Sequence, residues 1–515
     1  LSDPPAMLTR LHNEAAEDQQ SIRNAITTLR ELERTDWQTL VAQCSAVAAV
    51  LARCPVHAAE HPGTQDATLH AVESLARESG FAEADVAHEL LALTANATGV
   101  DDPRAAPAYW WQGEGEAALR RQLQLPRRRL PRRGSRAMRQ WMTPTYLAGV
   151  TLLSGMLLWT LLQHADAAAP LWLLVLAGVL AAGPVTEAVV AVVNRLISES
   201  VPPTRLPRLA FLHGIPPEHA SLVVMPVMLT TVAALPDLLA QLEQHALANP
   251  ETHARFALLS DYADADAQSQ PDDAALLLAA QQAVQALNDK HAGTPSSPSL
   301  SAVPSSPRFL LLHRNRLWCD SEQRWIGWER KRGKLEQLLR ALVEPGYEPF
   351  VDLGALSRPE ILDHPVRYVI TLDADTHMPP GRLRALVGVA AHPLNQPRWE
   401  SAVGRIVSGY GILQPRVESP LPSPETATGY HALFNGHCGL DPYSAASSEV
   451  YQDLFGEGSF SGKGLLNVQA VHSALALRLP EGQVLSHDLL EGSLARCAAV
   501  SEVTLVEDAP HHADV

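Results

Sequence analysis

Cysteine is scarce and poorly placed for chemistry in this chain. Its 515 residues hold five, Cys44, Cys54, Cys319, Cys438 and Cys497, scattered and without a CxxC pair. Neither a zinc knuckle nor a disulfide framework is signalled, and reduced thiols are expected. Positive charge is also short. With 40 Lys and Arg against 56 Asp and Glu, the formal net charge is -16. That removes any global attraction to phosphate, and with it wholesale nucleic-acid binding. Leu1-Ser2-Asp3-Pro4-Pro5 has no basic stretch followed by an apolar one, so no signal peptide is read there. It has no initiator methionine either, and a piece of something longer is expected. No two histidines have zinc-protease spacing, so His437, His472, His511 and His512 are not promoted as metal ligands. Gly456 to Gly464 is glycine-rich with one lysine. However, Gly462-Lys463-Gly464 lacks the following Ser/Thr and the glycine spacing of a P-loop.

What is present falls into three parts. Residues 1–139 read as a helical cytosolic region: Leu11, Ile22, Ile26, Leu29, Leu32, Leu40 and Val41 recur at helical spacing among Glu, Gln and Arg. This part closes in a basic block of Arg120, Arg121, Arg127, Arg128, Arg129, Arg132, Arg133, Arg136 and Arg139. Residues 140–197 hold two apolar stretches, about 145–163 and 170–193. The first has no ionisable residue, and the second has only Glu187 before its end. Each is long enough to cross a hydrocarbon core of about 30 Å. A short link through His164 and Asp166 makes them a transmembrane hairpin. The arginines should stay in the cytosol beside anionic headgroups, and the even number of crossings returns residue 198 onward to the same side.

From residue 198 to 515 strands and helices alternate. Ser221–Pro226 and Phe256–Asp261 read as strands, 234–246 and 273–287 as helices, and 294–307 as a Ser/Pro loop. Alternation of this kind predicts an α/β fold with a mostly parallel sheet and flanking helices. Tyr368-Val369-Ile370-Thr371 then runs into Leu372-Asp373-Ala374-Asp375-Thr376, and Pro379-Pro380-Gly381 opens a helix through Ala391. A buried strand ending in Asp-x-Asp delivers two carboxylates to the sheet edge where ligands bind. Two hard oxygen ligands there suit Mg²⁺ or Mn²⁺, which can neutralise a diphosphate. A sugar-nucleotide transferase also needs a carboxylate for the nucleotide base, a general base for the acceptor hydroxyl and a group that settles the leaving diphosphate. Asp261, Asp373, Asp375 and Asp488 occur in a workable order for this.

Five further segments complete a resemblance. They are Arg308–Arg316, Trp328–Glu336, Gly411–Arg416, Phe455–Gly464 and Leu485–Gly492. With the strands above, they resemble processive inverting glycosyltransferases such as cellulose synthase, and more closely the cyclic β-1,2-glucan synthases. The resemblance covers about 200–515 and extends to the membrane hairpin. It implies a GT-A-like domain on the cytosolic face of a bacterial inner membrane, in a multi-pass protein. It also implies a hexosyltransferase that uses UDP-glucose and Mg²⁺ or Mn²⁺ to extend a β-1,2-glucan. By resemblance Asp261 would contact uracil, Asp373 the ribose or diphosphate, and Asp375 the metal. Lys331, Arg332 and Lys334 match a basic segment near the nucleotide, with Lys334 as the ligand. Asp488 would be the acceptor base, in a Thr-Glu-Asp motif that reads Ser486-His487-Asp488 here. Gly458, Ser459, Lys463 and Glu491 fall in the acceptor region.

One departure stands out. Such enzymes carry a Q-x-x-R-W-like segment downstream of the base. Here Gln323-Arg324-Trp325 and Gln396-Pro397-Arg398-Trp399 have the wrong spacing and lie upstream. Further spans and a glycoside-phosphorylase-like region of the family are not seen in these residues either. The expectation is a fragment truncated at its C-terminal end, with inactivity in isolation as one outcome. The alternatives are another membrane β-glycan synthase and an inactive membrane scaffold.

Overall fold

The computed structural model describes residues 4–35, 40, 44–126, 136–164, 170–200, 203–292, 306–420, 428–429, 444–445, 448–476, 478–484 and 487–507. Several residues singled out above lie outside these: Arg127 to Arg133 of the basic block, Asp166, residues 294–305 of the Ser/Pro loop, His437, Cys438, Leu485, Ser486, His511 and His512.

The chain divides into two compact units. One comprises Leu1–Ala58, Pro62–Thr98 and Arg104–Leu125. It is helical, and Leu51, Val72, Val86, Leu90, Leu119 and Leu123 form its core. The other comprises Ala59–His61, Gly99–Pro103 and Pro126–Val515. It starts with two long helices, Arg136–Gln163 and Leu171–Ser200. Their membrane-length parts, Trp141–Gln163 and Leu171–Ser200, span 23 and 30 residues and are 6% and 17% buried.

The remainder is α/β. Its strands are β1 (Ser221–Leu229), β2 (Ala254–Tyr262), β3 (Phe309–Arg314), β4 (Leu317–Cys319), β5 (Arg324–Ile326), β6 (Tyr368–Thr371) and β7 (Thr376–His377). They continue with β8 (Arg398–Glu400), β9 (Arg405–Ser408), β10 (Ile412–Glu418), β11 (Ser444–Ala445), β12 (Ser448–Glu449), β13 (Gly464–Asn467) and β14 (Cys497–Glu507). Eight of them form one sheet in the order β3-β2-β1-β6-β13-β10-β14-β7. Pairings β1–β2, β2–β3, β1–β6 and β10–β14 are parallel. Strand β13 runs antiparallel to both β6 and β10, and β7 antiparallel to β14.

Both faces of this sheet are covered, and for that reason β2 is buried at every position. Side chains alternate between the faces. Val223, Met225, Phe256, Leu258, Phe309, Leu311, Tyr368 and Ile370 point to one side. There they meet Leu242 of helix Leu235–Ala248, Val284 of helix Asp273–His291 and Leu386 of helix Arg382–Ala391. Leu222, Val224, Ala257, Leu259, Leu310 and Val369 point to the other side. They pack on Leu338 and Leu339 of helix Arg330–Val343 and on Val471 of helix Val468–Leu475. Helix Arg382–Ala391 starts after Gly381, whose φ of 74° favours a residue without Cβ.

Phe256 is fully buried, its ring centroid 6.3 Å from that of Phe309. Phe256→Ala should destabilise this unit by about 3–5 kcal/mol. Urea unfolding in detergent reads this, and an unchanged midpoint would show that the site can collapse.

Candidate functional site at the carboxyl edge of the sheet

Strands β1, β2, β3 and β6 are parallel, so their C-terminal ends share one edge. β13 runs the other way, and Gly464 pairs with Thr371. This register brings the residues just before Gly464, Gly462 and Lys463, to the same edge as Asp373. Pairing of Glu507 with Thr376 adds the end of β14.

Lysines hold the acidic groups together there. Lys331, in the first turn of helix Arg330–Val343, places its Nζ 2.5 Å from Asp373 Oδ1. Lys463 Nζ lies 3.4 Å from Asp373 Oδ2 and is paired with Glu507. Burial lowers the Lys463 pKa, but the bond to Glu507 and the charges of Asp373, Glu507 and Asp375 outweigh it, and the pKa is raised. Asp375 itself is exposed. Asp488, at the start of helix Asp488–Ala495, comes to the same place. A Cβ built on Gly462 would stand 3.0 and 3.2 Å from the two Asp488 carboxylate oxygens and 3.2 Å from Lys331 Nζ. Lys331, paired with Asp373, and the Asp488 carboxylate therefore flank the same point beside Gly462. Gly462, with φ of 83°, leaves the space between them open.

Asp261 sits beneath this cluster rather than in it. The carboxylate is buried, with Arg314 Nε 2.7 Å from Oδ1 and Arg314 Nη2 2.8 Å from Oδ2. Lys334 Nζ is 3.3 Å from Oδ2 and donates to the Val227 carbonyl at 2.6 Å. Burial lowers the Lys334 pKa against the partial support of Asp261. The backbone at Gly327 covers the carboxylate, since a Cβ there would stand 2.2 Å from Asp261 Oδ2. Asp261 and Lys334 thus anchor the edge from below, and a nucleotide base could meet Asp261 only if the Gly327 loop shifts. Gly458 and Ser459 are also not brought to the cluster. Gly458 N–H donates to the Cys497 carbonyl at 2.9 Å and Ser459 N–H to Glu449 Oε1 at 2.8 Å, tying the loop to β14 and to the end of β12. Glu491 is buried, and His487 Nδ1 donates to its Oε1 at 2.9 Å.

The sequence places Lys331 in the basic segment with Arg332 and Lys334 but singles out Lys334, and it assigns no role to Gly462, His487 or Glu507. The signal for Lys331 was its place in the first helical turn, three residues before a lysine on the same face.

Among the described residues His487, Asp488 and Glu491 offer three ligand atoms within 4.8 Å of one another. A cation there would have to take Nδ1 from Glu491. Asp375, an exposed hard oxygen donor beside Asp373, fits a divalent ion with fewer losses.

The fold and its acidic, lysine-bridged edge define an α/β protein with two helices of membrane-spanning length. No family model matches the chain. It is 34% identical over 519 aligned residues to the cyclic beta-(1,2)-glucan synthase NdvB of Rhizobium meliloti (strain 1021), an alignment that takes in 99% of this chain. The resemblance read from the motifs is borne out by this similarity, which extends through the two long apolar helices and the N-terminal helices. The chain spans 18% of the length of that relative.

The Arg314–Asp261 pair is nearly dry, with side-chain exposures of 2% and 5%. Arg314→Met should cost about 3–5 kcal/mol, because the carboxylate loses its bidentate partner while buried. Denaturant unfolding reads this, and a loss below about 1 kcal/mol, as for an exposed pair, would mean that water reaches Asp261.

Proposed function

We propose that this chain contributes the glucosyl-transfer site of a membrane glucan synthase. In this reading a GT-A-like domain on the cytosolic side of a bacterial inner membrane binds UDP-glucose. It transfers glucose with inversion to the 2-hydroxyl of a growing β-1,2-glucan. The observation that carries it is Lys331, poised between Asp373 and Asp488 around Gly462. Similarity to a protein named as a cyclic beta-(1,2)-glucan synthase supports the acceptor class.

An alcohol is a poor nucleophile at neutral pH, so transfer needs a base beside the attacking oxygen. Asp488 has a partly exposed carboxylate for that task. It would take the hydroxyl proton as the oxygen attacks the anomeric carbon opposite the diphosphate. Lys331 and Lys463 would face that diphosphate, and each is already placed beside Asp373. Mg²⁺ or Mn²⁺ held at Asp375, with Asp373 beside it, would supply charge neutralisation of the leaving group. Gly462 leaves room for a sugar to approach the base.

The intact synthase in membranes should incorporate label from radiolabelled UDP-glucose only when Mg²⁺ or Mn²⁺ is present. Asp488→Asn should lower incorporation by about 10²-fold or more. Equal incorporation in that variant would remove Asp488 from its role, and full incorporation in chelator would remove the metal at Asp375.

A further inference from the structure

His487 stands where the resemblance expects glutamate, immediately before Asp488. Its side chain is 17% exposed, and Nδ1 donates to Glu491 Oε1 at 2.9 Å one helical turn on. The same nitrogen lies 3.4 Å from Asp488 Oδ1. That oxygen is buried and makes no hydrogen bond, so what joins it to His487 is proximity and charge. The Asp488 side chain nevertheless keeps 29% of its surface exposed. With Oδ1 enclosed, Oδ2 is the oxygen left open to an incoming hydroxyl.

We propose that His487 is a positioning residue for the acceptor base: held by Glu491 and abutting the buried Oδ1, its ring orients Asp488 so that Oδ2 faces the acceptor beside Gly462 and Lys331. This rests on reading Asp488 as the base. The arrangement has an electrostatic side as well. Asp488 and Glu491 are two carboxylates within one helical turn, and a positive ring between them offsets their repulsion.

The surrounding charges favour the protonated ring. Burial lowers the His487 pKa, but the bond to Glu491 and the charges of Glu491 and Asp488 outweigh it against Arg332, and the pKa is raised. On the facing helix Arg330–Val343, Arg332 pairs with Glu329 and Glu336, and Lys331 pairs with Asp373 beside Gly462. On helix Val468–Leu475, which packs against the same helix, His472 is paired with Glu344 at 3.4 Å. Arg405 of β9 is exposed. A group whose pKa is raised carries its charge below that value and loses it as pH climbs through it. Support from His487 is therefore complete in acid and fades on the alkaline side.

The test is the pH profile of glucosyl transfer by the intact synthase in membranes, between about pH 6 and pH 9, the range in which a histidine changes charge. Wild type should decline on the alkaline side. His487→Gln keeps a hydrogen-bond donor without the charge. It should lower kcat by about tenfold or more, leave the KM for UDP-glucose unchanged and abolish the alkaline decline. His487→Lys should recover part of kcat and move the decline to higher pH. UDP binding, measured by calorimetry, should equal wild type in both variants. Wild-type kcat and pH profile in His487→Gln overturn the proposal, as does loss of UDP binding in step with kcat, which marks a merely structural role. If Asp488→Asn transfers normally, the reading of Asp488 fails; an inert Asp488→Asn beside an unaffected His487→Gln sinks the histidine alone.

Discussion

Compensation of negative charge at the sheet edge is the constraint on which the site depends. Asp373 and Asp375 share one strand end, while Asp488 and Glu507 come from two other segments. Two like charges about 4 Å apart repel by about 4 kcal/mol at the effective dielectric of a protein surface. Lys331 and Lys463 make the gathering tolerable, and both are themselves partly buried, at 30% and 13% exposure. Neither can be moved freely. The β13 register fixes Lys463, because Gly464 must pair with Thr371. Lys331 is fixed by the first turn of its helix. A polyanionic ligand entering this edge would meet cations already in place, with Asp373 as the group that gives them up.

A second, buried layer holds the first. Each residue of Lys331-Arg332-Gly333-Lys334 has a distinct partner. Lys334 reaches Asp261 and the Val227 carbonyl, clamping the helix start to the ends of β2 and β1. Arg332 pairs with Glu329 and Glu336, its guanidinium 5.7 Å from the Trp328 ring. Gly333 leaves room for the Trp328 carbonyl, which a Cβ would approach to 1.9 Å. With three of the four locked, Lys331 projects in the remaining direction, toward Asp373. Arg314 completes the layer, so the helix start, β2 and β3 share one buried ion cluster.

Much of this was legible in the sequence. The β-branched run into Asp373 and Asp375 marks a strand end because apolar runs in parallel sheets are buried on both sides. β1, β2 and the helices between them follow from alternation for the same reason. The helix opened by Pro379-Pro380-Gly381 has local chemistry of its own. Other features are set by long-range pairing that leaves little local trace. β13 is four residues long, and only its partners make it antiparallel. A short strand has too few positions for a pattern to show its direction, so the mixed half of the sheet could not be read. The lysine assignment went to Lys334 for a similar reason. Two lysines three apart look alike in sequence, and only their degree of burial separates Lys334, held under Asp261, from the half-buried Lys331. Asp261 at a strand end has the same appearance whether or not an arginine stands on the next strand, so its pairing with Arg314 across β2 and β3 is visible only in the fold.

The two long apolar helices present a problem of exposed surface. Trp141, Leu152, Met156, Trp159, Leu171, Trp172, Val179 and Leu180 are each more than 60% exposed. Contiguous apolar surface of that extent is costly in water, at about 25 cal/mol for each Å² exposed. The helices touch each other, with Leu162 Cδ1 3.6 Å from a Cβ built on Gly178, yet they cover little of one another. Tyr146, near the start of the first helix, donates to Asn194 Oδ1 near the end of the second at 3.0 Å, whereas the buried Ser154 hydroxyl makes no hydrogen bond. Length and apolar composition make the two helices candidates for crossing a membrane, and a hydrocarbon layer is what would cover their exposed apolar faces.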